Sequence, residues 1–194
     1  MERLDLEVTQ IIEHSREGQI LLSIPPIYPM YAAAILAAIG HIANFEDAGH
    51  LKSYFGWAPK RAQTGVSFDK TSLTQGGSRE MKKIMYLVAW HAIKNETEWA
   101  SLYKRLVPRL CSYDERTQIY KAKGKAIGHV IGRLITLIYA LLKQDAETLS
   151  HLSPGTPLPE PVLYDPEIHR RHRTGHYQPL KKKLPENRIV QIQS

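Results

Sequence analysis

The sequence predicts an all-α fold, and three observations predict it. Apolar residues recur at three- and four-residue intervals over most of the first 150 positions. Capping residues and glycines sit where such stretches begin and end. Sustained two-residue alternation is missing outside one polar, glycine-interrupted segment. Residues 1–150 are expected to form one helical domain, with a helix-hairpin-helix-like start, a polar Gly/Ser/Thr loop and a long C-terminal helix. Residues 151–194 are expected to form a proline-rich linker and a flexible basic tail.

Leu4, Val8, Ile11 and Ile12 have helical spacing and predict an amphipathic lead-in helix closed by Gly18. Pro25, Pro26 and Pro29 then forbid a continuous helix and force a rigid turn. An alanine-rich helix follows from Met30 to Ile39, ended by Gly40. Asp47 is placed to cap a short helix carrying Leu51, Tyr54 and Phe55, which Gly56 stops. Ala58 to Gly77 reads as an exposed loop or hairpin, with Val66-Ser67-Phe68 as a short extended piece.

Ser78 is the expected N-cap of the next helix, with Met81, Ile84, Met85 and Val88 inward and Arg79, Lys82 and Lys83 outward. A further helix is expected over Glu98 to Leu106, interrupted by Pro108. The longest helix is expected from Thr117 to Leu149, its core face formed by Ile127, Val130, Ile131, Leu134, Ile138 and Leu141. Gly124, Gly128 and Gly132 lie four apart on it and predict close approach of another helix. Its apolar stretch, Ile131 to Leu142, reads as too short to cross a bilayer and contains Arg133.

Composition narrows the function classes. The 194 residues carry 26 Lys and Arg against 19 Asp and Glu, a formal charge of +7 that favours a polyanionic partner. A single cysteine, Cys111, excludes an intramolecular disulfide and a multi-cysteine zinc site. Acidic residues interrupt the N-terminal segment, which does not read as a signal peptide. The expectation is a soluble cytosolic protein, without a membrane partner.

Four segments carry candidate chemistry. Ile24 to Gly40 has the outline of a helix-hairpin-helix, whose turn amides would face a phosphate; equally, it is a helical hairpin that only packs. The loop Pro59-Lys60-Arg61-Ala62-Gln63-Thr64-Gly65-Val66-Ser67 sets hydroxyls beside cations. A phosphodiester is attacked by a hydroxyl and its developing charge is held by cations, although exposed Thr-Gly and Ser more often simply form turns. Gly76-Gly77-Ser78-Arg79, ahead of Lys82 and Lys83, opens a helix with amides able to hold a phosphate, without the spacing of a nucleotide-hydrolysing P-loop; equally, it is a plain capped helix with a solvated cationic face. His169, His172 and His176 have loose metal-ligand spacing, but six Lys and Arg with no acid between His169 and Lys183 read as a solvated basic arm. Trp57, Trp90 and Trp99 are expected to fill a core rather than stack on bases.

These segments occur in a familiar order. Ile24-Pro25, Ala32-Ala33-Ala34-Ile35-Leu36, Ile39-Gly40-His41-Ile42, Phe45, Leu51, Tyr54, Gly56 and Ala58-Pro59 resemble the transposase domain of the IS-one-ten family. The resemblance continues through Thr64-Gly65, Ser67, Leu73-Thr74, Gly77-Ser78 and Met81-Lys82, covering roughly residues 20 to 95. These are DEDD-type insertion-sequence transposases, some guided by a bridge RNA. The resemblance implies a two-part active site: a RuvC-like domain whose four carboxylates bind Mg2+, and this domain, which supplies a serine nucleophile from a Ser-Gly pair.

Thr64 stands in that serine's place before Gly65, and Ser67 is the second candidate hydroxyl. By the same resemblance Lys60, Arg61, Gly65, Gly77, Ser78, Arg79, Lys82 and Lys83 bind DNA backbone or a guide RNA. The residues ahead of Ile20 are too few for a βαβ carboxylate site. No cofactor is therefore expected in this chain, and Mg2+ only with a RuvC-like domain in trans or in the same polypeptide. Self-association is expected from the glycine-spaced helix. The alternative function is a non-catalytic nucleic-acid-binding or assembly module that kept the fold.

Overall fold

The computed structural model describes residues 2–64, 68–73, 76–95 and 97–169; of residues 2, 60–64, 68–73 and 169 only the backbone course is described. Among them the protein is mostly helical, with eight α-helices and two short β-hairpins.

The lead-in segment is two helices, α1 (Glu2–His14) and α2 (Arg16–Leu22). The break falls at Ser15 rather than at Gly18. Ser15 is extended, and its Oγ accepts from the Gly18 amide at 3.0 Å, capping α2. Gly18 lies inside α2 because a Cβ there would overlap the Ile12 carbonyl oxygen at 1.9 Å. Only one face of α1 is covered: Ile12 is buried while Leu4 and Ile11, expected in the core, are exposed.

Across the proline turn, α3 (Pro29–Ile39) starts with proline in its first turn and ends at Gly40, whose φ is +64°. A 3-10 turn over Ile42–Asn44 leads to α4 (Ala48–Tyr54), capped by Asp47, whose Oδ1 accepts from the His50 amide at 2.8 Å. Strands β1 (Pro59–Thr64) and β2 (Phe68–Leu73) form an antiparallel hairpin, pairing Pro59 with Leu73 and Thr64 with Phe68. Extended structure is therefore longer than the three residues expected.

Helix α5 (Arg79–Lys94) begins at the Ser78 cap, with the expected Met81, Met85 and Val88 buried. Helix α6 (Glu98–Leu110) runs through Pro108 instead of stopping. The proline sits in the last turn, and the Cys111 amide still reaches the Val107 carbonyl at 3.0 Å. The long helix α7 (Gly124–Ser150) starts later than expected, because β3 (Ser112–Asp114) and β4 (Ile119–Lys121) form a second hairpin first. Tyr113 and Tyr120 pair across it with ring centroids 4.9 Å apart.

Helix α7 is the axis of the core, packed against α2, α4, α5 and α6. All six of its expected core residues are buried. By length and composition it is long and apolar enough to cross a bilayer, contrary to expectation, but 56% of its most apolar window is buried inside the protein. Among the described residues its glycines do not receive another helix. A Cβ at Gly128 would rest 3.8 Å from the Trp57 ring, and no described atom lies within 4 Å of one at Gly124 or Gly132.

The proline-rich segment after α7 runs back over the body. Arg16 joins it there: its guanidinium holds the buried Asp145 carboxylate, with contacts of 2.7, 2.8 and 3.0 Å, and donates to the Pro159 carbonyl at 2.5 Å. Tyr164 donates its amide to Ser23 Oγ (2.8 Å) and its hydroxyl to Glu98 Oε1 (2.6 Å), and stacks on Trp99. A four-residue helix, α8 (Pro166–His169), ends the described chain; His172, His176 and the rest of the basic arm lie outside it.

Candidate nucleic-acid interface

The β1–β2 hairpin rises from a junction of two glycines. Gly56 (φ +74°) ends α4 and Gly77 (φ +90°) precedes α5. A Cβ on Gly77 would stand 2.5 Å from the Gly56 nitrogen and 2.7 Å from the Ser53 carbonyl oxygen, so the two backbones touch there. The Ser78 amide donates to the Tyr54 carbonyl at 2.8 Å, and Ser78 Oγ accepts from the Met81 amide at 3.2 Å. The glycine pair therefore serves packing, since it lets the hairpin's two ends meet, and the Ser78 amide is engaged inside the junction. Glu80 adds a carboxylate to the first turn of α5, where the helix dipole favours one.

Thr64 lies at the far end of β1. It stands five positions beyond Pro59, about 17 Å along an antiparallel strand. Lys60 faces Ser72 and Arg61 faces Thr71 in the register. The hairpin thus carries Lys60, Arg61 and Thr64 along one strand, while Gly77, Ser78 and Arg79 stay at its base. Gly65 and Ser67, the other two residues of the loop reading, lie outside the described residues.

The expected outward face of α5 needs correcting at one residue. Arg79 and Lys83 are exposed, but Lys82 is half-buried. Its stem approaches Gly56, its Nζ lies 5.9 Å from the Trp57 ring centroid, and its carbonyl accepts from Trp57 Nε1 at 3.2 Å. The tryptophans divide as well. Trp57 and Trp99 are buried as expected, whereas Trp90 is 38% exposed on α5, with Lys94 Nζ 5.4 Å from its ring centroid. The sequence signal for this was present: Trp90 is seven residues from Lys83 and eleven from Arg79, all on one helical face.

The proline turn between α2 and α3 buries Ile24, Pro26 and Ile27. The amides of Ile24 and Ile27 are satisfied within it, by Leu21 and Ile24 carbonyls, and its prolines have none to offer. Tyr28, at the start of α3, packs edge-on to His91 and its hydroxyl accepts from Asn95 Nδ2 at 3.2 Å.

Other chemistry near the site is quiet. Burial pushes the Cys111 thiol up from its ordinary value, away from the thiolate form. Burial, and then Arg133, push the His129 imidazole down, which favours its neutral form. Among the described residues no three His, Cys, Asp or Glu side chains converge as metal ligands.

Known proteins place this arrangement. Residues 18–104 match the family described as Transposase IS116/IS110/IS902. Over 159 residues the chain is 25% identical to the insertion element IS110 uncharacterized 43.6 kDa protein of Streptomyces coelicolor, covering 80% of this chain and 36% of that protein. It is 28% identical over 148 residues to a pilin gene-inverting protein of Moraxella bovis, covering 74% of this chain and 43% of the relative. The chain thus spans less than half the length of these curated relatives. The matched segment begins inside α2 and ends inside α6, so it holds the proline turn, the glycine junction, the hairpin and all of α5. Over that segment, residues 18–104, the chain is similar to the IS116/IS110/IS902 transposase family.

Proposed function

We propose that this chain is the DNA-handling and strand-transfer part of an insertion-sequence recombinase, with Thr64 at the phosphoryl-transfer position and Ser67 as second candidate. The observation that carries the reading is the family match across the hairpin and its glycine junction. The relative named as a pilin gene-inverting protein adds DNA inversion as the kind of rearrangement.

In this reading the threonine oxygen attacks phosphorus and a phosphoester to the protein forms. The strand's bridging oxygen leaves as a hydroxyl, taking up a proton while the threonine gives up its own, and resealing reverses the step. Lys60, Arg61, Arg79 and Lys83 hold the phosphates, with Lys82 acting through the packing of Trp57. A RuvC-like domain, in the same polypeptide or another, supplies the carboxylates and their Mg2+. A guide RNA and a multimeric assembly belong to the same proposal.

Threonine in place of serine favours the second reading, a nucleic-acid-binding or assembly module without chemistry, because its extra methyl crowds the attacking oxygen. The experiment mixes the chain with a RuvC-like domain of the family, Mg2+ and labelled DNA, and follows covalent attachment by denaturing gel. Strand transfer predicts attachment that Thr64→Ser raises several-fold and Thr64→Ala removes. If DNA binds but none of the three proteins forms the adduct, the module reading holds.

A further inference from the structure

The hairpin reading leaves one surface unused, the outward face of α5. Arg79, Lys83, Tyr86, Trp90 and Lys94 follow one another at intervals of four, three, four and four residues. At 3.6 residues per turn they share an arc of about 80°. All five are exposed, Tyr86 by 41% and Trp90 by 38%. The helix has one carboxylate, Glu80, and it is turned off this arc into the groove between α3 and α5 that Ala34, Ala38, Tyr54 and Ile84 also line. The arc is thus wholly cationic and aromatic.

Two large rings left in water are unusual in a helix whose inner face is filled by Met81, Met85, Val88 and Ala92. One turn apart, Tyr86 and Trp90 are about 6 Å from each other along the axis. Lysine and arginine flank them on both sides, and Lys94 lies against the Trp90 ring. Cations placed to follow a phosphate backbone, with rings between them, form a stacking platform for bases. A duplex hides its base faces between neighbouring pairs, so only unpaired bases can use the rings.

Resting on the proposal that the chain handles DNA, we infer that the outward face of α5 binds unpaired single-stranded DNA, with bases stacked on Tyr86 and Trp90 and phosphates on Arg79, Lys83 and Lys94. Strand exchange between two DNA segments exposes such bases. The face then holds a displaced strand while the hairpin acts at the junction.

The test measures binding of the full chain to labelled oligothymidylate of about twenty nucleotides, to a duplex of similar length and to oligouridylate, at one low salt concentration. Trp90→Ala and Tyr86→Ala are each expected to weaken oligothymidylate about tenfold and to leave duplex affinity unchanged. Trp90→Phe, which keeps a ring, retains most of the affinity, and Lys83→Glu weakens both polymers. Since Trp57 and Trp99 are buried, oligothymidylate also quenches tryptophan emission in the wild type and not in Trp90→Phe. Unchanged oligothymidylate binding by Trp90→Ala overturns the inference while leaving the DNA reading intact. So does tighter wild-type binding of oligouridylate that only the ring variants lose, since the occupant is then RNA. If the wild type binds neither single-stranded nor duplex DNA, the proposed function fails first.

Discussion

Gly77 shows how one absent atom fixes the geometry of the site. Its φ of +90° disfavours any side chain, and the backbone of Gly56 occupies the space a Cβ needs. Gly155 offers a comparison, with a similar φ of +86° and no described residue within 4 Å of a built Cβ. Gly77→Ala is expected to lower stability by about 3 kcal/mol, strain and overlap together, and Gly155→Ala by about 1 kcal/mol, strain alone. Urea unfolding of both variants separates the two contributions; equal losses would mean that the Gly56–Gly77 contact does not hold the junction. The cap and stop residues around this site were legible because their chemistry is local. Asp47 and Ser78 each bind an amide three residues on, and Gly40 and Gly56 stand where a left-handed turn ends a helix. Gly18 was not legible in the same way, since what selects it is the Ile12 carbonyl arriving from another helix. Lys82 and Trp90 mislead for the opposite reason: a long stem and a large ring are assigned to water or core by type, yet what lies beside them decides. For Thr64 and Ser67 the sequence supplied the candidates, and a phosphoester adduct is what would establish either.

Among the elements, the β3–β4 hairpin is the one the sequence hid, because its strands are three residues each and the second lies in the stretch from Thr117 read as helix. Two residues at positive φ, Gln118 and Ala122, bend the chain there without glycine to announce it. The hairpin closes on the Tyr113–Tyr120 pair and on an ion pair between Asp114 and Lys121. The hydrogen bond from Lys121 pulls the Asp114 carboxyl down from 3.8 to about 2. A carboxylate with a lowered folded value adds stability that is complete above its unfolded value, and that is lost as pH falls through the folded one. The hairpin is therefore expected to hold at pH above about 4 and to loosen as the pH approaches about 2. Ring proton signals of Tyr113 and Tyr120, followed by NMR through that window, check this. They should move in the wild type and stay flat in Asp114→Asn; wild-type signals that do not respond would refute the coupling. The long helices were read more accurately, since the six core positions of α7 repeat the same signal over several turns and a boundary error of one turn leaves the face unchanged.

At the scale of the whole molecule, the segment after α7 ties distant parts of the sequence together. Tyr164 reaches Ser23 in the loop after α2 and Glu98 and Trp99 at the start of α6, while Pro159 is held by Arg16. Composition predicted an extended linker because prolines exclude helix and sheet, but it does not register the few side chains, Val162 and Tyr164, that pack against the core. Tyr164→Ala is expected to cost about 2 kcal/mol, from a stacked ring and a hydrogen bond to a carboxylate, and Tyr164→Phe about half of that. Chemical denaturation gives both values, and a Phe variant as damaged as the Ala variant would show that the hydroxyl, not the ring, holds the segment.

Between α7 and Pro159 the chain passes through residues 153–158, every one of them exposed. The contacts of Arg16, Ser23, Glu98 and Trp99 hold the segment beyond by the Pro159 carbonyl, the Tyr164 amide and the Tyr164 side chain, and are indifferent to whether it arrives through that bridge. A cut in that bridge removes none of those contacts, so what holds the arm is the docking and not the continuity of the chain.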